Sequence, residues 1–281
     1  MTSADQPEAE APLILAVAPN GARKTKADHP ALPMTADEIA ETAVACQAAG
    51  AAMIHLHVRD REGRHSLDPD IYRETIDAIR RRLGDGLIVQ VTTEAVGRYG
   101  PAEQMAAVRA IRPEAVSLAI KEIIPDAAAE PVATDFLAWL ARERIAPQYI
   151  LYSAEELRRF EDLRRRGIVP GERPFVLFVL GRYTPGQRST PGDLLPFLNP
   201  LPVDIVWAVC AFGARETACA LTAAGLGGHA RVGFENNMKL ADGSIASDNA
   251  ALVAQLAAGT AVLGRPLADA ETARAMLSDR A

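Results

Sequence analysis

Eight short apolar runs, each followed by an amphipathic stretch, recur along the whole chain, and that alternation constrains the fold more than any other feature. The runs cover residues 13–18, 51–58, 87–93, 115–120, 148–152, 175–180, 204–211 and 230–235. Most are nearly continuous rather than strictly alternating, as expected of strands buried on both faces of a parallel sheet. The stretches between them read as helices. Thr35 with Glu38 three residues later is a capping-box signature, and Gly50 ends that helix after residue 49. Residues 68–83 place Ile71, Thr75, Ile76, Ile79 and Leu83 on one face. Pro101 opens a third helix and Pro113 closes it. Residues 131–144, 154–166, 191–198, 214–224 and 248–263 follow, and the charge run at 158–166 reads as a solvated helix face. Strand then helix, eight times, predicts a single (β/α)8 TIM barrel over residues 13–281. An open doubly wound sheet is the alternative, weakened because no GxGxxG follows the first strand.

Composition narrows the class. A length of 281 residues suits one barrel of roughly 250 residues, and 49% apolar content supplies its core. A net charge of −6 argues against nucleic acid or an anionic membrane as partner. Cys46, Cys210 and Cys219 show no metal or disulfide spacing, so reduced structural thiols in a cytoplasmic protein are expected. Residues 1–12 are acidic and rich in Ala and Pro, lack the basic and apolar regions of a signal peptide, and read as a frayed tail. No apolar run approaches the ~18 residues of a membrane span.

In a (β/α)8 barrel the active site lies at the C-terminal ends of the strands, and here the polar groups collect there. Strand 1 leads into Asn20, Arg23 and Lys24. Strand 2 ends in His55, His57, Arg59 and Asp60. Strand 3 gives Gln90, Thr92, Thr93 and Glu94; strand 4 gives Ser117, Lys121 and Glu122. Strand 5 gives Tyr152 and Ser153, strand 6 Gly181, Arg182 and Tyr183, strand 7 Cys210 and Gly213, and strand 8 Arg231, Glu235, Asn236 and Asn237. Side chains two apart on a strand share a face, so His55 and His57 project together and form half of a metal site. Glu235, two strands away in a closed barrel, completes a His2Glu set. The bland alternative makes both histidines hydrogen-bonded core residues and pairs Glu235 with Arg231. His29, His65 and His229 read as surface or structural. A metal-dependent amidohydrolase also begins with HxH, but it needs histidines on later strands, where strands 5 and 6 have none, and an Asp at the last, where strand 8 ends Glu235-Asn236.

Taken together, Asn20-Gly-Ala-Arg-Lys-Thr-Lys, Pro33-Met-Thr, Glu38-Ile-Ala, Ala49-Gly-Ala, His55-Leu-His-Val-Arg-Asp and Arg231-Val-Gly-Phe-Glu-Asn-Asn resemble the β-keto acid cleavage enzymes. The likeness runs from Leu13 to Leu267. It implies a (β/α)8 barrel, commonly a homotetramer, with zinc held by His55, His57 and Glu235, although another divalent transition metal would suit the same ligands. It also implies that the enzyme takes a β-keto acid and acetyl-CoA and yields acetoacetate and a new acyl-CoA. Under that resemblance Arg231 orients a water or balances the carboxylate charge, while Thr92 and Ser117 hold the carboxylate or the developing oxyanion. Asn20 and Arg23 belong to the substrate-binding set.

The chain departs from the family pattern in three places. Strand 8 ends Glu235-Asn-Asn237 where the family usually has Glu-Asp-Asn, and the Asn236 amide cannot accept a proton as a carboxylate does. Glu94 or Glu122 is therefore expected to replace the missing carboxylate. Arg23 stands where the aminohexanoate enzyme has a glutamate, which predicts a neutral or anionic distal group on the substrate. Lys121 and Glu122 follow strand 4 either as a surface pair or as replacements at the site. A CoA-independent metal aldolase or hydrolase, or a weakly active binder of β-keto acids, is the competing function.

Overall fold

The computed structural model describes residues 11–278, so most of the expected tail at 1–12 lies outside the described residues. Eight parallel strands close into a barrel, which excludes the open sheet. They are β1 (Leu15–Val17), β2 (Met53–Leu56), β3 (Ile88–Thr92), β4 (Ala115–Ala119), β5 (Ala146–Leu151), β6 (Phe175–Leu180), β7 (Val206–Ala211) and β8 (His229–Val232). Each pairs with its sequence neighbour, and β8 returns to β1 with Leu15 opposite Ala230. Helices α1 (Ala36–Ala48), α2 (Pro69–Leu83), α3 (Pro101–Ile111), α4 (Glu130–Arg142), α5 (Ala154–Arg165), α6 (Leu195–Leu198), α7 (Glu216–Gly225) and α8 (Asn249–Val262) cover the outside. None of the described helices is long and apolar enough to cross a membrane.

The local grammar holds. Thr35 and Glu38 form the expected capping box, and Ser153 and Asp248 accept from the first-turn amides of α5 and α8. Strand residues alternate between two cores. Leu15, Val17, Ile54, Leu56, Val89, Val91, Val116 and Leu118 face the helices, while Ile14, Ala16, Met53, Ile88 and Ala115 fill the barrel's base. The runs look unbroken in sequence because both faces are buried.

Several boundaries move. Strand 8 ends at Val232, so Glu235 sits in the following turn rather than on the strand. Residues 191–198 form a 3-10 turn, Pro191–Leu194, and one turn of α-helix. A helix not read from sequence, α9 (Ala270–Ser278), places Ala270 and Ala273 against the base of the barrel. A small hairpin, Val58–Arg59 with His65–Ser66, extends β2 above the barrel mouth. The 158–166 run is solvated only in part. Arg158 and Arg165 are exposed, but Arg164 is largely buried between Glu161 at 2.7 Å and Asp204 at 2.6 Å, and Arg159 donates to the Ile124 carbonyl. All three cysteines are buried and free.

Candidate active site

Two glycines let the strand ends come together. Gly233 has φ +136°, and a Cβ there would stand 2.4 Å from the Ala18 carbonyl oxygen. Gly21 has φ +62°, and its Cβ would meet Glu235 Cγ at 2.6 Å. Only glycine fits such positions, so the β8 turn lies directly on the β1 loop. Asn249 fastens this junction, accepting from Phe234 N at 2.9 Å and donating to the Pro19 carbonyl at 3.0 Å. Lys24 Nζ donates to the carbonyl oxygens of Phe234 and Glu235. The result is a rigid seat for the Glu235 carboxylate.

His55, His57 and Glu235 converge there. His55 Nε2 and His57 Nε2 are 3.1 Å apart, and Glu235 Oε2 lies 3.2 Å from His57 Nε2 and 3.7 Å from His55 Nε2. Ligands at the usual ~2.0–2.1 Å from a tetrahedral metal ion are about 3.3 Å from one another. The three separations bracket that value, and these residues form the metal-competent cluster among the described residues. Glu235 Oε2 is buried with no hydrogen-bond partner, a costly arrangement unless a cation satisfies it. The donor set therefore fits a divalent transition metal. Burial, then the positive charge of Arg231, holds the His55 pKa well below its ordinary value. Burial opposes ionisation of Glu235, but the positive charge of Arg231 beside it outweighs burial and keeps its carboxyl well below the usual range. Neutral imidazole and ionised carboxylate are the ligand forms.

An interior amide chain aims His55. Its Nδ1 meets Gln90 Oε1 at 2.8 Å, and Gln90 Nε2 donates to Gln148 Oε1 at 3.2 Å. Because Gln90 spends its NH2 on Gln148, its oxygen faces His55, which places the imidazole hydrogen on Nδ1 and the lone pair on Nε2. The role of Gln148 is visible only once β2, β3 and β5 are in register.

Arg231 is buried beside the cluster. Its Nη2 donates to Glu235 Oε1 at 3.0 Å and to Cys210 Sγ at 3.3 Å, while Nε and Nη1 are buried and unmatched. Two buried guanidinium donors without acceptors call for an anion. The pairing of Glu235 with Arg231 and its place in the metal cluster coexist, one per carboxylate oxygen.

These groups open into a cavity of about 120 Å3, lined also by Asn20, Arg23, Thr92, Glu94, Tyr152 and Arg182. Asn20 Nδ2 donates to the carbonyls of Pro33 and His57, leaving its Oδ1 unpartnered. Thr92 Oγ1 accepts from Glu94 N at 3.0 Å. Glu94 Oε2 lies 3.9 Å from His57 Nδ1, and Arg182 Nη2 donates to Oε1 at 3.4 Å.

Three expected site residues stand outside the cavity wall. Ser117 is buried, its Oγ without a partner. Glu122 sits behind the wall, accepting from Ala95 N at 3.1 Å and Gln104 Nε2 at 2.8 Å, and burial raises its pKa. It is not a surface partner of Lys121, which lies 3.4 Å from Glu156 instead. Asn236 is buried with both amide atoms unpartnered, and its carbonyl accepts from Gly213 N at 3.1 Å. Sequence reading placed Arg182 after strand 6 at the functional end but gave it no role at the site. His65 is structural: its Nε2 meets the Glu94 carbonyl at 2.9 Å. His29 is buried rather than on the surface, bonded to the Ala246 carbonyl at 3.0 Å.

A larger hollow, about 550 Å3, opens at the opposite end beside Phe175, Leu137 and Leu277. Its Arg274 and Glu114 are paired at about 2.5 Å, and no metal-competent cluster lies there among the described residues.

The sequence profile of the beta-keto acid cleavage enzymes matches residues 12–278. A 3-oxoadipate:acetyl-CoA acetyltransferase of Cupriavidus necator is 32% identical over 272 residues, 95% of this chain and 94% of the relative. A 3-keto-5-aminohexanoate cleavage enzyme of Fusobacterium nucleatum is 30% identical over 271 residues, 95% and 97% of the two chains. Among solved structures, the binary complex of ObcA with oxaloacetate superposes with a TM-score of 0.72 at 17% identity, over 88% of this chain and 67% of that longer one, a likeness of fold.

Proposed function

The chain belongs to the beta-keto acid cleavage enzyme family, and from that premise we propose that it converts a β-keto acid and acetyl-CoA into acetoacetate and a new acyl-CoA at a divalent-metal site on His55, His57 and Glu235. The observation that carries this reading is Arg231 with two unmatched buried guanidinium nitrogens, Nε and Nη1, beside those three donor atoms. A substrate carboxylate satisfies the guanidinium, and its keto group then lies beside the cluster. A divalent ion there, with zinc the expected one, supplies Lewis acidity that makes the C2 proton easier to remove.

The bond changes balance without another reactant. C2 loses its proton to a base and attacks the acetyl thioester; the new C–C bond forms as the C–S bond breaks. The released CoA thiolate adds to the distal keto carbon, and the original C2–C3 bond breaks. The departing acetoacetate carbanion recovers the proton.

Glu94 is the base we assign. Apart from Glu235 it is the carboxylate on the cavity wall, and Arg182 holds one of its oxygens. Glu122 has both of its contacts on the far side of the wall. Thr92 supplies a hydroxyl at the wall. Arg23 at the mouth favours a substrate with an anionic distal group, and a 3-oxo-diacid is the expected class. A homotetramer in the cytoplasm is the expected setting.

The direct test incubates the metal-loaded protein with acetyl-CoA and a panel of β-keto acids and reads acyl-CoA products by mass. Acetoacetate appearing only with acetyl-CoA, in step with a new acyl-CoA, supports the reading. Cleavage without CoA points to an aldolase or hydrolase. Elemental analysis and light scattering settle the metal and the oligomer.

A further inference from the structure

The cavity is close in size to the ~150 Å3 hollow that accepts a benzene-sized molecule. It has room for the reacting ends of a keto acid and a thioester, not for the nucleotide of a coenzyme. The nucleotide, with its diphosphate and 3′-phosphate, must lie on the rim.

The rim carries charges of both signs. Above β2 both acids are paired, Asp60 with Arg64 at 3.0 Å and Arg98 at 3.7 Å, and Glu62 with Arg64 at 3.1 Å, and Arg61 is exposed beside them. Above β6 and β7, Arg188 and Arg215 are exposed and have no ion-pair partner among the described residues. On a chain of net charge −6, two unmatched guanidinium groups close together beside an active-site mouth favour phosphate.

The backbone brings the two arginine loops together. A Cβ on Gly213 would meet the Gln187 carbonyl oxygen at 2.8 Å and Arg188 Cα at 3.5 Å, and Arg215 is two residues further on. An exposed aromatic adjoins them. Tyr183 is 69% exposed, its ring 5.1 Å from that of Tyr152, with Lys121 Nζ 4.3 Å from its centroid. The ammonium and the second ring hold Tyr183 in place while most of it faces solvent. Tyr152, Arg182 and Gln187 line the cavity, so this rim is continuous with the reacting centre.

We propose that Tyr183, Arg188 and Arg215 form the docking site for the adenosine-phosphate end of coenzyme A, the tyrosine stacking on adenine and the arginines binding phosphate. The assignment rests on acetyl-CoA being the co-substrate. It places the pantetheine arm between Tyr152 and Phe212 and brings the thioester down into the cavity from the β5–β7 side.

Two measurements test it. In turnover, the ratio of kcat/KM for acetyl-CoA to that for the N-acetylcysteamine thioester, which has no nucleotide, should fall about tenfold or more in Arg188→Ala/Arg215→Ala, and again in Tyr183→Ala. A damaged fold lowers both values together and leaves the ratio unchanged, as does a docking site elsewhere; an unchanged ratio in a variant with wild-type melting overturns the proposal. Calorimetric binding of free coenzyme A and of adenosine 3′,5′-bisphosphate needs no turnover. Weaker binding of both by the double variant supports the site even if no β-keto acid is cleaved, in which case the proposed reaction falls and the site stands. Equal binding by the two proteins, or none by the wild type, overturns it.

Discussion

Glu235 divides its carboxylate, giving Oε1 to Arg231 Nη2 at 3.0 Å and holding Oε2 3.2 Å from His57 Nε2. In the proposed reaction the carboxylate would serve at once as metal ligand and as anchor for the guanidinium that binds substrate. Stripping the metal with a chelator should abolish turnover, and zinc should restore it. The melting temperature should fall on stripping, because an ion present at 100 times its Kd stabilises the fold by about 2.7 kcal/mol. His57→Ala should purify with substoichiometric metal by elemental analysis. A stripped protein with unaltered turnover and melting would remove metal from the account.

The Gln148–Gln90–His55 chain predicts a metal-affinity effect away from the cavity mouth. Gln90→Leu takes away the acceptor that holds His55 Nδ1–H, and metal affinity should weaken about 10–100-fold. Gln148→Leu should do less, since it frees Gln90 without removing its oxygen. Competition with a chromophoric chelator measures both. Equal affinities in wild type and Gln90→Leu would show that the amide plays no part in aiming the ligand.

Glu94→Gln should lower kcat by about 10^2–10^4-fold, the usual span for a general base, with little change in KM. Glu122→Gln keeps an oxygen for the Ala95 amide and should change kcat less than about tenfold. Wild-type turnover in Glu94→Gln would take that residue out of the mechanism.

Arg23→Glu should exchange the preferred substrate. The ratio of kcat/KM for a 3-oxo-diacid over 3-keto-5-aminohexanoate should fall about tenfold or more, since a like charge replaces a complementary one. A ratio that does not move places Arg23 outside substrate selection.

Glu216 links stability to pH. Burial raises its carboxyl pKa from the usual 4.5 to about 8, against the opposing pull of Asn237 Nδ2 at 3.3 Å and Gly233 N at 3.1 Å. The folded protein therefore holds a proton that the unfolded chain has released. That contribution is fully present below pH 4.5 and is lost as pH rises to about 8. Across this window the melting temperature of wild type should fall relative to Glu216→Gln, which cannot ionise. Parallel melting curves against pH would show that Glu216 ionises in the fold as it does in the unfolded chain.

Much of the barrel was legible because its signals are local. Nearly unbroken apolar runs mark strands buried on both faces, and Thr35, Ser153 and Asp248 mark helix starts through their own side chains. α9 escaped because it is only nine residues long and follows the eighth strand–helix pair, where the alternation calls for no further element. The short hairpin after β2 escaped because its pairing has two residues on each side.

The metal cluster was likewise written into the chain. The two-residue period of a strand sets His55 and His57 on one face, and barrel closure brings the β8 turn within reach. Which carboxylate shares the cavity was not. Glu94 and Glu122 both follow strands at the functional end, yet one lines the cavity and the other turns to Gln104. Gln148 reaching Gln90, Arg182 reaching Glu94 and Glu216 seating the β8 turn are contacts between side chains on different elements. Sequence by itself determined which residues alternate and which strand ends are polar. Only the closed barrel, through its register and the way its loops fold over the mouth, decided which of those polar groups meet.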